Sequence, residues 1–319
     1  MRRQTVLIQW ATVIATMLIM PLYAESAEPS EQPIVRVMSY NTYRGGTMHE
    51  QPLSQTVKVI QAAKADVVGI QETRSPKGVN AEKLAELLGW NYYVHPKNNV
   101  IITHYEIVKK MDNGIRVKLP SGQGVYIFNL HLKPSPYLPY QFMGIKPIWP
   151  KTDKPFIPHI KTEAEAIASS QEGPNGKKIA MLLRQIRSLS YQEAPVFVVG
   201  DFNEPSHLDW TEAAAKAGRH PLKVAYPTSK ALLEAGFSDA YRTIYPDEMA
   251  KPGFTWTPMK KPNQPRTHYD RIDFVYFKGE GLKVTEVKIV GENEQNADIV
   301  VSPYPSDHRA VAATFTLAK

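Results

Sequence analysis

Polar residues closing apolar runs are the places where this chain could do chemistry, and several of them combine carboxylates, amides and imidazoles. Ser39-Tyr40-Asn41-Thr42 closes the first such run, and an amide there either caps a turn or addresses a ligand. Val67-Val68-Gly69-Ile70-Gln71-Glu72 carries Glu72 out of a buried run. A carboxylate in that position is costly unless a cation awaits it. A hard divalent ion such as Mg²⁺ takes one or two carboxylates together with substrate phosphate oxygens, so Glu72 is a sensible first ligand.

The run Val125–Leu132 holds His131 in its middle. Taken alone, such a histidine is a hydrogen-bonded core residue; it gains a functional reading from its company. That company is Val198-Val199-Gly200-Asp201-Phe202-Asn203, where residues two apart leave a strand on one face, so Asp201 and Asn203 can address one ligand. Near the C-terminus, Asp307-His308 sets a carboxylate beside an imidazole whose basicity a second carboxylate would raise. Asp273 is the natural candidate for that carboxylate and Asp270 its competitor. Their spacing of three puts them on opposite faces of a strand, so one of them points into the site.

The elements that must position these residues follow from hydrophobic patterning. Strand-like runs cover 34–40, 66–70, 100–103, 125–132, 196–199, 272–277, 284–290 and 310–317. Helical spacing covers 53–64, 81–88, 162–170, 178–189 and 209–217, and Ser121-Gly122-Gln123-Gly124 reads as a hairpin turn. Strands and helices mix without a regular βαβ period or internal repeat, which argues for one α/β domain. The stretch 134–158, with seven prolines and five aromatics, cannot be a central strand. It is either a lid or substrate wall, or a loop that packs its own aromatics on the body.

Residues 1–24 read as a secretory signal, with Arg2 and Arg3 ahead of an apolar run and Ala24 at a small-residue cleavage site. The expectation is therefore an exported protein, periplasmic or secreted, with a short linker at 25–33 and a catalytic domain at 34–319. Removing the signal lowers the net charge from +7 to +5, which mildly favours a polyanionic partner. No cysteine is present, which excludes disulfide scaffolds, Cys-ligated zinc and thiol nucleophiles, and leaves oxygen and imidazole as metal ligands.

Taken in order, SYN, IQET, NLHL, GDFNEP, RIDFVY and SDHRAV span residues 35–317 and closely resemble the endonuclease/exonuclease/phosphatase superfamily. That superfamily includes deoxyribonuclease I, exonuclease III-like repair nucleases, neutral sphingomyelinases, cytolethal distending toxin nuclease subunits and inositol polyphosphate 5-phosphatases. The resemblance implies a four-layer α/β sandwich of two packed, largely antiparallel sheets with the site at one rim. It implies Mg²⁺, with Mn²⁺ or Ca²⁺ as alternatives, bound by Glu72 with Asn41 and Asp307 near it. Asp201 and Asn203 would orient or activate water and hold phosphate, His308 paired with Asp273 would be the catalytic imidazole, and His131 would hydrogen-bond a phosphate oxygen. His131 matches deoxyribonuclease I, the sphingomyelinases and the toxin nucleases, but the stretch from Val100 to Tyr105 offers no acid to orient it.

The expected activity is hydrolysis of a phosphodiester by water, first of DNA or RNA, with the chain acting as a monomer. Lys133, Lys251, Lys260, Lys261, Arg266 and Arg271 are the basic residues placed to track a phosphate backbone. A sphingomyelinase-like or small-molecule phosphodiesterase, meeting membrane lipid through 134–158, is the second reading, and a non-catalytic binding protein with this fold the third.

Overall fold

Alternating and β-branched runs fold as strands because one face of each can be buried against a second sheet while the other is covered by helices. The structure is a computed structural model describing residues 32–75, 78–95, 99–145, 160–189, 194–257 and 268–318. The readings of 1–24 as a signal and of most of 25–33 as a linker lie outside these residues.

Two sheets carry the fold. The first has seven strands, in the order Ile299–Val300, Lys283–Gly291, Ala310–Thr316, Ile34–Asn41, Val67–Gln71, Val100–Thr103 and Asn91–Val94. The second has six, in the order Ser238–Asp239, Asp273–Lys278, Val196–Asp201, Gly124–His131, Gly114–Lys118 and Glu106–Met111. Both sheets are mixed. Most neighbours are antiparallel, but Ile34–Asn41 runs parallel to Val67–Gln71, and Gly124–His131 runs parallel to Val196–Asp201.

Strand alternation sorts the side chains into layers. Val35, Val37, Val67 and Ile101 of the first sheet meet Ile127, Phe197, Val199 and Val275 of the second in one buried cluster. The opposite face of the first sheet, with Met38, Tyr40, Val68 and Ile70, is covered by Val57 and Ile60 of helix Leu53–Ala62 and Leu84 and Ala85 of helix Ala81–Leu88. Phe128, Leu130 and Val198 on the outer face of the second sheet are covered by Ile179, Leu182, Leu183 and Ile186 of helix Pro174–Arg187. The result is the four-layer α/β sandwich.

Close approach needs glycine at two points. A Cβ on Gly69 would lie 2.3 Å from Val199 Cγ2, so this residue lets the two sheets come together. Gly200, at φ 153°, would place a Cβ 2.1 Å from the Leu130 carbonyl oxygen on the neighbouring strand.

Elements that the patterning did not mark are mostly edge or capped pieces. Glu106–Met111 is an edge strand whose charged residues hide its alternation, and Asn91–Val94 lies at the other sheet's edge. Helix 162–170 becomes Glu163–Glu172, started by a capping box between Thr162 and Glu165. Helix 178–189 begins earlier, at Pro174, where a proline costs no intrahelical bond. Helix 209–217 shortens to Glu212–Lys216, and Pro227–Glu234 is an additional helix. Of the segment 134–158, residues 134–145 are described and include a short helix, Leu138–Met143. There the ring of Tyr137 packs on Trp256 and that of Phe142 on Trp210, so this part packs its aromatics on the body.

Candidate active site

Strand register brings together residues far apart in sequence. On the second sheet, Asp201 is the register partner of His131 on one side and of Asp273 on the other. On the first sheet, Asn41 pairs in register with Gln71, the residue before Glu72. The same rim of both sheets therefore presents Asn41 and Glu72 opposite His131, Asp201 and Asp273.

Asn41 stitches the two rims. Its Nδ2 donates to Asp201 Oδ2 at 2.8 Å and to Glu72 Oε1 at 3.3 Å, and its Oδ1 accepts from the Tyr43 backbone N–H at 3.0 Å. Glu72 sits at φ 56° and Asn203 at φ 46°, left-handed conformations that turn both side chains off their strands at a cost of about 1 to 3 kcal/mol for the non-glycine glutamate. The loop after Asn41 holds that strained backbone, with the Gly45 N–H donating to Glu72 O at 2.7 Å and Thr42 Oγ1 to Gln71 O at 3.0 Å. Asn203 closes the far side: its N–H donates to Asp201 Oδ1 at 2.8 Å and its Nδ2 to Leu132 O at 3.1 Å.

His308 is the second focus. Its Nδ1 lies 2.9 Å from Asp273 Oδ2 and its Nε2 3.8 Å from Asp201 Oδ2. Burial works against the protonated ring, but the carboxylates of Asp273 and Asp201 outweigh it and raise the pKa well above the ordinary histidine value. Ser306 fixes the loop, its hydroxyl donating to Asn41 O at 2.6 Å and accepting from the His308 N–H at 3.1 Å. The competition between Asp273 and Asp270 is thus decided for Asp273. Asp270 turns away to accept from Tyr137 Oη and Trp210 Nε1.

His131 behaves differently. Its Nε2 lies 3.6 Å from Asp201 Oδ2 and 3.9 Å from Glu72 Oε1, so the acids near it come from the other motifs and not from Val100–Tyr105. Burial nevertheless dominates and lowers its pKa to about 4, leaving the ring neutral near pH 7. These contacts are therefore not salt bridges, and Nε2 has no hydrogen-bond partner among the described residues.

The same rim has the donors a hard cation requires. Burial pushes Asp201 up to about 7 and Asp307 up to about 6, and Asp307 Oδ1 and Asp273 Oδ1 are buried without partners among the described residues. Clustered carboxylate oxygens held near neutrality by burial fit a divalent cation, which would restore their charge. One ligand atom from each of Asp201, Asp273 and His308 lies within 4.8 Å of the others. Because His308 and Asp273 are bonded to each other, that cluster is better described as a protonated imidazole between two carboxylates.

A model of the endonuclease/exonuclease/phosphatase family matches residues 38–308. The chain belongs to this family. Family members are generally divalent-metal-dependent hydrolases of phosphoester bonds. An uncharacterized Caenorhabditis elegans protein, F14F9.5, is 28% identical over 305 residues, covering 88% of this chain and 91% of its own. Among solved structures, a family protein from Bacteroides thetaiotaomicron is similar with a TM-score of 0.55 at 15% identity, covering 91% of this chain and 100% of its own. Truncated Caenorhabditis elegans TDP2 gives a TM-score of 0.53 at 18% identity, covering 89% and 97%. TDP2 of D. rerio, solved with a single-strand DNA product, gives 0.51 at 16% identity, covering 89% and 99%.

Two features of this family member escaped the sequence. Asn129, 1% exposed, donates from Nδ2 to Ile70 O at 2.9 Å and Val100 O at 2.8 Å and accepts from Gln71 Nε2 at 2.6 Å, tying the two sheets directly behind the site. The signal was an amide in an otherwise apolar run, overshadowed by His131. Thr255 Oγ1 accepts from the Asp273 N–H at 3.1 Å, which no local pattern announces. Arg271 must be removed from the phosphate-tracking set. It is fully buried, with Nη1 2.8 Å from Asp239 and Nη2 2.9 Å from Asp209, because a buried guanidinium needs carboxylates at both ends. Lys251 is 3.7 Å from Asp298, Lys133 is exposed, and Lys260, Lys261 and Arg266 lie outside the described residues.

Proposed function

We propose that this protein is an exported, Mg²⁺-dependent phosphodiesterase that cleaves DNA or RNA by direct attack of water, acting as a monomer. The observation that carries the reading is the convergence of the Asp273–His308 pair, Asp201 and neutral His131 on one rim that also holds Glu72 and Asp307. A divalent cation held by Glu72 and Asp307, with Asn41 beside them, would neutralise phosphate charge as it builds.

The chain's own residues do the rest. Asp201, lifted by burial to about 7 and oriented by the Asn41 side chain and the Asn203 N–H, suits the removal of a proton from the attacking water. Asn203 and Asn41 hold that carboxylate in one orientation, which fixes where the water can sit. His308, protonated between Asp273 and Asp201, donates from Nε2 to the phosphoryl group, while neutral His131 donates from its own Nε2.

Nucleic acid is favoured over lipid by two observations. The described aromatics of 134–145 are turned onto the body and present no membrane-facing row. The D. rerio TDP2 structure holds a single-strand DNA product on the same fold. Export rests on residues 1–24, with Arg2 and Arg3 before the apolar run. Nicking of supercoiled DNA by the purified protein with Mg²⁺, lost with EDTA and in His308→Ala, is the expected result. A folded protein that leaves DNA intact while hydrolysing sphingomyelin or a small phosphodiester would refute the nuclease assignment.

A further inference from the structure

A second group of metal-ligating side chains lies outside the site described above. One ligand atom from each of His220, His268 and Asp270 lies within 4.8 Å of the others. His220 is 7% exposed and its Nδ1 has no hydrogen-bond partner among the described residues; the same holds for Nε2 of His268. That Nε2 lies 3.2 Å from Asp270 Oδ1; burial opposes the charges, but with no ion bound the two face each other as an ion pair that raises the His268 pKa and lowers that of Asp270, a proton standing where a cation would sit.

The surroundings are unusually dry for a carboxylate. Asp270 is 2% exposed, and its neutral donors are Tyr137 Oη and Trp210 Nε1. The Trp210 ring stacks on His220 at 4.2 Å between centroids and meets His268 edge-on at 5.9 Å, which fixes both imidazoles around the acid. Tyr226 packs edge-on against Trp210 and extends the aromatic enclosure. No lysine or arginine pairs with Asp270 among the described residues. A buried carboxylate facing two imidazoles, one of them with Nδ1 unpartnered among the described residues, is a donor set for a borderline cation.

We propose that His220, His268 and Asp270 form a second cation site that takes Zn²⁺ or a similar transition-metal ion. Two imidazoles and one carboxylate suit Zn²⁺ far better than Mg²⁺, which prefers oxygen donors and keeps its water. Tetrahedral Zn²⁺ holds its ligands about 3.4 Å apart, so the His268–Asp270 separation already fits and His220 needs to close by about 1.4 Å at most. The ion would tie the loop bearing His220 to the segment leading into Asp273–Lys278. Its effect is on architecture: the Trp256 backbone bridges both Asp270 and His308, so the site steadies the wall beside the catalytic imidazole.

The test uses the full chain stripped with chelator, then titrated with Zn²⁺ against a chromogenic zinc indicator in excess Mg²⁺. One tightly bound Zn²⁺ per chain is expected. His220→Gln and His268→Gln should each weaken it by about 100-fold or more while melting cooperatively, and Asp273→Asn should retain it. Absence of stoichiometric Zn²⁺ in the wild type would overturn the proposal. So would binding that survives both histidine substitutions and disappears in Asp273→Asn, because the ion would then sit in the catalytic cluster. Should the histidine variants not melt cooperatively, Co²⁺ absorption of the wild type decides: imidazole-ligated tetrahedral bands support the site, and their absence refutes it.

Discussion

Asp273 Oδ2 lies 2.9 Å from His308 Nδ1, joining the first residue of one sheet's strand to the loop that feeds the other sheet. This bond sets the protonation of the catalytic imidazole. In Asp273→Asn, burial of His308 is opposed only by Asp201 and Asp307, so its pKa falls. Activity that needs the protonated ring is lost as pH rises through that pKa, so the alkaline limb of the pH–rate profile should move to lower pH. The rate should fall roughly 10²- to 10⁴-fold. A limb that stays in place while the rate falls would show that Asp273 only orients the ring.

Mg²⁺ should stabilise the protein more at pH 8 than at pH 5. Asp201 and Asp307 have folded pKa values raised to about 7 and about 6, above the unfolded carboxylate value near 4. Between those limits the folded state binds more protons than the unfolded one, so the metal-free protein loses stability as pH rises through that window. A divalent cation offsets the loss at high pH and competes with protons at low pH. Melting temperatures with Mg²⁺ and with EDTA at the two pH values check the sign. Glu72→Gln should shrink the Mg²⁺ effect and raise the Mg²⁺ concentration needed for activity.

Asn129→Leu should lower stability by about 2 to 5 kcal/mol, measured by urea denaturation, because it takes the Asn129 donor from the Ile70 and Val100 carbonyls and the shortest acceptor from the Gln71 amide in a dry interface. The kinetic consequence should be a fall in kcat, since the sheets on either side of this residue carry Glu72 and His131.

Arg271→Met should cost roughly 3 to 5 kcal/mol by leaving Asp239 buried without a cation and Asp209 with Arg242 as its remaining partner. It should leave the salt dependence of DNA cleavage unchanged. Lys133→Ala should do the reverse, flattening the salt slope by about one unit with little change in stability.

Glu72 and Asp201 were legible in the sequence because each closes an apolar run with an acid that burial would penalise. Asp307 and His308 stood out as an acid beside an imidazole, and the order of the motifs carried the family and gave His131 and Asp273 their weight. Patterning also gave most of the core strands and most helices, but it passed over Gly114–Lys118, an interior strand that puts Ile115 and Val117 into the core. It failed at Glu106–Met111, where an edge strand is free to be charged, and at Pro227–Glu234, whose helix depends on packing. It misplaced Arg271, since nothing local tells a buried guanidinium from an exposed one.

Residue type and order thus determined the layered fold and which side chains could bind phosphate and metal. Tertiary structure alone decided that Asp273 and not Asp270 reaches His308, that Asn41 bridges Glu72 and Asp201, and that Asp270 faces His220 and His268 instead. The reason is physical. Strand alternation assigns a side chain to a face, but which distant strand lies opposite depends on sheet order and register, and those are set by packing summed over the whole core.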